Sequence, residues 1–318
     1  MTRHRAFPDR KRVALAGFGV VGQGVYARLA AAPDRFDVVG ILCRNPARHA
    51  AGAAARLLTD TFDALQPFDV LIEAVGGVEP AADFALAALR RGADVVSANK
   101  TLLSRRYDAL HAAAAQSGAR LLYSAAVGGG VPMLEAVDAA RGRIERIDAV
   151  VNGTTNFVLD RIGAGLSGAD AVKLAQEAGY AEADPSADID GVDAAEKISL
   201  LARRGFGVAV DPDSIAADRL STVSDKAIAE ASRAGTPFKQ IASAWRTPES
   251  FALAVRLLEV PADNPLAAPK LEENCLVITL RNGERTVLHG KGAGREPTAD
   301  SVLADIERIA FSAATVGA

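Results

Sequence analysis

Apolar and polar positions alternate in blocks along the first 124 residues. Short runs centred on Val, Ile and Leu lie at Val13–Ala16, Asp37–Cys43, Phe68–Val75, Asp94–Ser97 and Arg120–Ser124. Runs of this length without strict alternation predict strands buried on both faces. Between them, Val21–Ala32, Pro80–Arg91 (with Phe84, Leu86 and Leu89) and the stretch closing over Leu110–Ser117 place apolar residues at helical spacing. Arg44-Asn45-Pro46 reads as a turn. Strands alternating with helices of this length predict βαβ units and a parallel sheet.

After Gly128-Gly129-Gly130 the rhythm changes. Glu145–Val151 predicts a strand, Asn156–Gly163 the start of a helix, and Ala169–Ala178 another. From Gly191 onward Ala194, Ala195, Ile198, Leu201 and Ala202 define one helical face. Leu271–Leu280 and Thr286–His289 flank Asn282-Gly283, a strong hairpin signal. The chain is therefore expected to be α/β, with a nucleotide-binding domain over residues 1–132 plus 296–318 and a mixed-sheet α+β domain over 133–295. The amphipathic segment Thr298–Ala313 is expected to return to the first domain. Neither an internal repeat nor a low-complexity linker is visible.

Half the residues are apolar (49%) but few are aromatic (5%), which points to alanine-rich helices on aliphatic strands. A net charge of −3 gives no reason to invoke nucleic acid or an anionic membrane. The one dense basic cluster, Arg3-His4-Arg5 with Arg10-Lys11-Arg12, precedes the first strand and reads as a solvated end. Cys43 and Cys275 stand far apart with no CxxC or Cys/His spacing, so they read as small core residues rather than zinc ligands or a disulfide. With no apolar run of about 18 residues and no signal peptide, the expectation is a soluble cytoplasmic protein without a membrane partner.

The first specific chemistry lies in Gly17-Phe18-Gly19-Val20-Val21-Gly22. It follows a predicted strand and opens a predicted helix, the setting of a Rossmann-type dinucleotide turn. Gly17 permits the turn, Gly19 lets the backbone approach a pyrophosphate, and Gly22 lets the helix pack close. Val20 and Val21 supply backbone N–H groups at the helix N-terminus, whose dipole favours anions. A carboxylate about 20 residues further on would select NAD. This chain instead reads Leu42-Cys43-Arg44-Asn45 there. Arg44 is placed to pair with the 2′-phosphate of NADP, with Arg48 assisting; a solvated arginine in a turn is the bland alternative. NADP is expected, with NAD as the other candidate.

Four more clusters carry potential chemistry: Ser97-Ala98-Asn99-Lys100, Asn152-Gly153-Thr154-Thr155-Asn156, the stretch from Gly179 to Lys197, and Gly292-Ala293-Gly294. The third holds Glu182, Asp184, Asp188, Asp190 and Asp193, then Lys197, with Pro185 keeping its early part in a loop. Asp193 and Lys197 are four residues apart on one helical face. Spacing alone fits an exposed ion pair worth a few tenths of a kcal/mol. It also fits a site for a substrate with an ammonium group and a reacting carbonyl. A calcium loop is disfavoured, since the spacing of an EF-hand is absent.

Taken together, GFGVVGQG, SANK, NGTTNF, GYAEADPSADIDGVDAAEK and GKGAGREPTA resemble homoserine dehydrogenase, in the family's order from Val13 to about Asp305. The chain is similar to the short form, without a regulatory ACT domain or fused kinase. The resemblance implies reversible NAD(P)H-dependent reduction of L-aspartate 4-semialdehyde to L-homoserine, on the route to threonine, methionine and isoleucine. It implies Lys197 as proton donor, Lys100 beside the nicotinamide and substrate, Asp193 assisting at the reacting end, and Glu182 and Asp188 binding substrate. Ser97 and Gly294 would touch the cofactor. Two ammonium groups near one oxygen repel, which eases loss of a proton from one.

The family commonly has a glutamate, where this chain has Ser124, that joins backbone oxygens around a monovalent cation such as sodium. Backbone oxygens of Val127, Gly129 and Val131 would remain. Residues from Asp213 to Trp245 follow the family loosely. A homodimer through the second domain's sheet is implied. Two rival readings stay open here: another two-domain amino-acid dehydrogenase, and a catalytically inactive NADP-binding sensor on the same scaffold.

Overall fold

A computed structural model describes residues 10–65 and 67–311. The chain divides into two compact units, Met1–Ala126 with Arg295–Ala318, and Val127–Gly294.

The first unit is built on β1 (Lys11–Ala16), β2 (Phe36–Leu42), β3 (Leu58–Thr59), β4 (Val70–Glu73), β5 (Asp94–Ser97) and β6 (Leu121–Leu122). They form one parallel sheet in the order β3-β2-β1-β4-β5-β6. This is the doubly wound order whose strand direction of growth reverses beside β1, the place where such sheets bind dinucleotides. Val13, Leu15, Val70 and Ile72 are fully buried, as continuous apolar strands require. The connections carry α1 (Val20–Ala30), α2 (Ala81–Arg90) and α3 (Lys100–Ser117).

The C-terminal helix, Arg295–Phe311, packs on α1, burying Ala299, Val302, Ile306 and Ile309 in the core of this unit. Gly24 makes the close approach possible, since a Cβ there would lie 2.9 Å from Arg295 and 3.2 Å from Ala299. Residues beyond 311 of the expected 298–313 helix lie outside the described residues, as does Arg3-His4-Arg5.

Two expectations change here. Arg10, Lys11 and Arg12 are not a free solvated end: Lys11 and Arg12 open β1, and Arg10 and Arg12 pair with Asp37 (2.6 Å) and Asp69 (2.7 Å). The strand expected over 120–124 is only two residues long. Ser124 leaves it to start a short helix, α4 (Ser124–Gly128), because the buried carboxylate of Asp305 accepts from its N–H (2.8 Å) and hydroxyl (2.9 Å).

The second unit holds β7 (Ile144–Val150), β8 (Ala216–Ala217), β9 (Phe238–Arg246), β10 (Phe251–Glu259), β11 (Glu273–Leu280) and β12 (Arg285–Lys291). The sheet runs β12-β11-β7-β9-β10-β8, antiparallel except for the β10–β8 pair. Asn282-Gly283 closes the β11–β12 hairpin, with Gly283 at φ +86°. The helices are α5 (Met133–Ala140), α6 (Gly153–Gly163), α7 (Gly168–Glu177), α8 (Ser186–Ile189), α9 (Val192–Phe206) and α10 (Asp225–Arg233).

β10, FALAVRLLE, is a plain apolar run that lies outside the predicted strands. β9 does not stand out in the hydrophobic pattern, because Lys239, Gln240 and Ser243 interrupt its apolar run. Each is nevertheless buried. The Lys239 ammonium donates to Asn156 Oδ1 (2.6 Å), Asp160 Oδ1 (3.1 Å) and the Pro269 carbonyl (2.7 Å). Burial lowers its pKa and the Asp160 charge opposes that shift. Both cysteines are buried, and burial pushes the Cys275 thiol up to about 11. Among the described residues no helix is long and apolar enough to cross a membrane.

Lys239→Met leaves the Asn156 and Pro269 oxygens without their donor, while Asp160 keeps Lys270 (3.7 Å) and the Leu271 N–H (3.2 Å). At about 1–3 kcal/mol for each stranded group, it should lower the stability of the second unit by about 2–5 kcal/mol, read as a loss of unfolding free energy in urea. A variant as stable as the parent would show that the Asp160–Lys239 pair holds nothing together.

Candidate active site

The glycine turn is shaped by two kinds of necessity. Gly17 sits at φ +104°, and a Cβ on it would lie 2.3 Å from the Ala74 carbonyl. A Cβ on Gly22 would lie 2.1 Å from the Gly17 carbonyl. Both are therefore demanded by packing. Gly19 is different: nothing lies within 4 Å of a Cβ built there. Its bare backbone faces open space, as a pyrophosphate-binding glycine requires. It caps α1 without a side-chain acceptor, and Val20, the next residue, is 62% exposed. An apolar side chain left exposed at a helix N-terminus suits a ligand-covered position.

Beside this turn lies a cavity of about 400 Å³ lined by Phe18, Gln23, Tyr26, Arg48, His49 and Arg295, among others. The Phe18 ring meets His49 edge-on at 5.1 Å and Tyr26 at 5.8 Å. Among the described residues the cations on this cavity are Arg48 and Arg295; Arg44 is exposed after β2 and is not part of the lining. Arg48 lies on the helical turn Pro46–His49 and is exposed, as Arg44 is; the Asn45-Pro46 signal marks the turn without showing which arginine borders the cavity.

The end of β4 holds a residue the sequence did not single out. Glu73 is fully buried, and its Oε2 accepts from the Ser97 hydroxyl (2.6 Å). Its Oε1 accepts from the Val75 N–H (2.8 Å) and the Asn99 amide (3.3 Å). Burial raises its pKa, opposed by these donors. Asn99 in turn caps α3, accepting from the Leu102 N–H (3.1 Å) and donating to the Gly77 carbonyl (2.7 Å). Ser97 and Lys100, the two predicted residues here, thus flank a turn tied to one buried carboxylate, and Lys100 opens α3 half-buried. A glutamate closing an apolar strand was the available signal.

In the second unit three predicted residues converge. The Lys197 ammonium donates to Asp193 Oδ2 (2.8 Å) and to the Val151 carbonyl (2.7 Å). The pair is nearly buried, 14% and 8% exposed at the side chains, so the exposed-pair alternative is set aside. The Asn152 amide donates to both Asp188 Oδ1 (2.7 Å) and Asp193 Oδ2 (2.8 Å). Burial raises the Asp188 pKa; the Asn152 donor lowers it and the nearby Asp193 charge raises it again.

Every residue of the 152–156 cluster has work to do. Asn152 caps α6 by accepting from the Thr155 N–H (2.8 Å). Gly153 lets Glu272 approach, since a Cβ would lie 3.0 Å from its Cα. Thr154 donates to the Tyr180 carbonyl (2.6 Å), Thr155 to the Asp188 carbonyl (2.9 Å) and Asn156 to the Leu271 carbonyl (3.0 Å). The start of α6 therefore hangs the acidic loop in place. Glu182 stands apart: it lies exposed on that loop, its backbone carbonyl held by Gln176 (3.1 Å).

Gly129 and Gly292 pack backbone to backbone, a Cβ on Gly129 falling 2.0 Å from the Gly292 carbonyl, and the Gly130 N–H donates to Lys291 (3.1 Å). Gly294, at φ +112°, follows in an exposed turn. No cluster of three or more His, Cys, Asp or Glu able to hold a metal occurs among the described residues.

Comparison with known proteins agrees with this architecture. A family model described as homoserine dehydrogenase matches residues 132–306, and one described as its NAD-binding domain matches residues 17–124. Homoserine dehydrogenase of Synechocystis sp. is 34% identical over 318 residues, spanning 94% of this chain and 73% of that protein. The enzyme of Bacillus subtilis is 33% identical over 313 residues, spanning 94% and 72%. The crystal structure of a homoserine dehydrogenase from Thiobacillus denitrificans matches with a TM-score of 0.90 at 30% identity, covering 96% of this chain and 75% of that one.

Glu73→Ala would leave the Ser97, Asn99 and Val75 donors without their acceptor, at about 1–3 kcal/mol for each orphaned group. Glu73→Gln keeps an acceptor and should cost less. Because the folded pKa is raised, native Glu73 holds a proton that the unfolded chain has already lost over the intervening pH window. Wild-type stability, relative to Glu73→Gln, should thus be greatest at acid pH and fall as pH rises through the folded value. Parallel urea titrations across pH would test this; a difference independent of pH would refute it.

Proposed function

The chain belongs to the homoserine dehydrogenase family, and on that premise we propose how its residues divide the work. The protein is an NAD(P)-dependent oxidoreductase acting on a CH–OH group, interconverting L-aspartate 4-semialdehyde and L-homoserine. The bound nicotinamide supplies or accepts the hydride; the rest is done by this chain. Gly17, Gly19, Val20, Val21 and Gly22 take the pyrophosphate on the α1 N-terminus, and Ser97 and Gly294 line the cofactor's path.

The observation that carries the reading is the Lys197 ammonium. Two of its three N–H donors are spent on Asp193 and Val151, which leaves the third for substrate in this reading. As the aldehyde carbon is reduced, charge grows on its oxygen; Lys197 stabilises that charge and gives it a proton. Asp193 holds the ammonium in place. Glu182 and Asp188 receive the substrate ammonium group, and Lys100 acts beside the nicotinamide. The rival sensor and amino-acid dehydrogenase readings have no observation in their favour.

NADP is the preferred cofactor in this reading, with the 2′-phosphate taken by Arg48 and Arg295 on the cavity and by Arg44 from the turn after β2. A monovalent cation such as sodium is held, in this reading, by backbone oxygens of Val127, Gly129 and Val131; Ser124, where the family commonly has a glutamate, gives its hydroxyl to Asp305. The amide of Asn274 lies buried against Gly292 with no hydrogen-bond partner. A homodimer through the second unit's sheet accords with the exposed Leu258 and Val287 on β10 and β12, and a cytoplasmic setting accords with a soluble substrate.

Lys197→Ala should lower kcat/KM for the semialdehyde by about 10²–10⁴-fold, the usual worth of a positioned proton donor; near wild-type turnover would overturn the assignment. Arg48→Ala should raise the KM for NADPH about tenfold or more while leaving that for NADH unchanged, through loss of a charge-assisted phosphate contact. Equal use of both cofactors by the wild-type enzyme would refute the NADP preference.

A further inference from the structure

The Asn152 side chain stands at the centre of the second-unit cluster without belonging to any of its predicted roles. Its Oδ1 is committed to the Thr155 N–H (2.8 Å), which fixes the amide orientation. Its nitrogen has two hydrogens, and two carboxylates take them: Asp188 at 2.7 Å and Asp193 at 2.8 Å. A flipped amide would set an oxygen against both carboxylates and a donor against a donor. The position is therefore specific for an amide, with acceptor toward the helix and donors toward the acids.

Two carboxylates within two hydrogen-bond lengths of each other repel, and burial makes the repulsion stronger. Asp193 is compensated by Lys197. Among the described residues Asp188 makes no salt bridge; its side-chain partner is the Asn152 amide, with the Lys197 charge acting on it from farther off. The same Asp193 oxygen accepts from both Asn152 and Lys197. A continuous chain of donors and acceptors thus runs from Asp188 through Asn152 and Asp193 to the Lys197 ammonium and the Val151 carbonyl.

We propose that Asn152 is a positioning residue for the reaction: its amide bridges Asp188 and Asp193, keeping both charged side by side and thereby aiming Lys197. It couples the residue that binds the substrate ammonium to the pair that delivers the proton. This rests on the assignment of Lys197 and Asp188 above.

Asn152→Asp separates this role from helix capping. A carboxylate caps α6 as well as an amide does, but both donors to the acids are lost and a third negative charge enters beside buried Asp193 and half-buried Asp188. The expected result is a lowered thermal midpoint, kcat reduced roughly 100-fold and the KM for the semialdehyde raised, with the KM for NADPH within about twofold. If capping were the whole role, kcat and the semialdehyde KM of Asn152→Asp would match wild type, and the proposal would be overturned. Asn152→Ser also caps α6, adds no charge, and has a single O–H for two acceptors. Its kcat should fall with that of Asn152→Asp; wild-type kcat in Asn152→Ser would overturn the bridge. Lys197→Ala, measured in parallel, tells the two readings apart. If it retains wild-type turnover, the reading of the site has failed and the bridge with it; if it is inactive while Asn152→Asp is wild-type, only the bridge has failed.

Discussion

A carboxylate withdrawn from water keeps its place only where the fold supplies donors to replace the water it has lost. Each unit of this protein is organised round such a group. Glu73, at the end of β4, gathers a hydroxyl, a backbone N–H and an amide, and so fixes the turn from Ser97 to Lys100. Asp193, in the first turn of α9, gathers the Asn152 amide and the Lys197 ammonium. Neither arrangement stands alone: Asn99 caps α3 and Asn152 caps α6. In both units an asparagine that starts a helix also serves a buried acid, so the placing of a chemical group and the starting of a helix are one event.

The backbone does the complementary work. Gly17 and Gly22 are required because a Cβ would meet carbonyl oxygens at under 2.5 Å, whereas Gly19 is bare toward open space. The first two give the turn its shape and the third leaves room for the ligand. Gly129 and Gly292 repeat the packing argument in the second unit, bringing two glycine-rich segments into backbone contact. Rigid glycine packing gives a site fixed geometry at little cost in side-chain entropy.

The second unit's sheet shows why its polar residues matter to the fold as well as to the site. Lys239 lies fully buried in β9 with three acceptors around its ammonium, one of them the α6 carboxylate Asp160. Gln240, the next residue, donates to the Asp188 carbonyl (3.3 Å). The sheet therefore reaches into the acidic loop through hydrogen bonds as well as apolar packing. The loop carrying Asp188 is held from α6 by Thr155 and from β9 by Gln240.

Local pattern alone determined a great deal. Continuous aliphatic runs identified the central strands β1, β2, β4 and β5, because a strand covered on both faces has no polar side to show. The glycine turn, the Asn282-Gly283 hairpin and the α9 face were legible for similar local reasons, and the 182–197 stretch contains Asp188, Asp193 and Lys197, which the structure brings together around Asn152. What only the tertiary structure decided involves polar groups whose partners lie far off in sequence. β9 was hidden because its lysine, glutamine and serine look like surface residues until their acceptors are seen. Arg48 borders the cavity and Arg44 does not, though both are exposed, a difference of place in the turn after β2 that the sequence does not show. Ser124 ends its strand because Asp305, 181 residues away, accepts from it. Burial of the Asp193–Lys197 pair cannot be read from an i,i+4 spacing, and neither can the single amide of Asn152 that joins that pair to Asp188. Periodicity reports which side of an element faces the core; it carries no information about which donor meets which acceptor there.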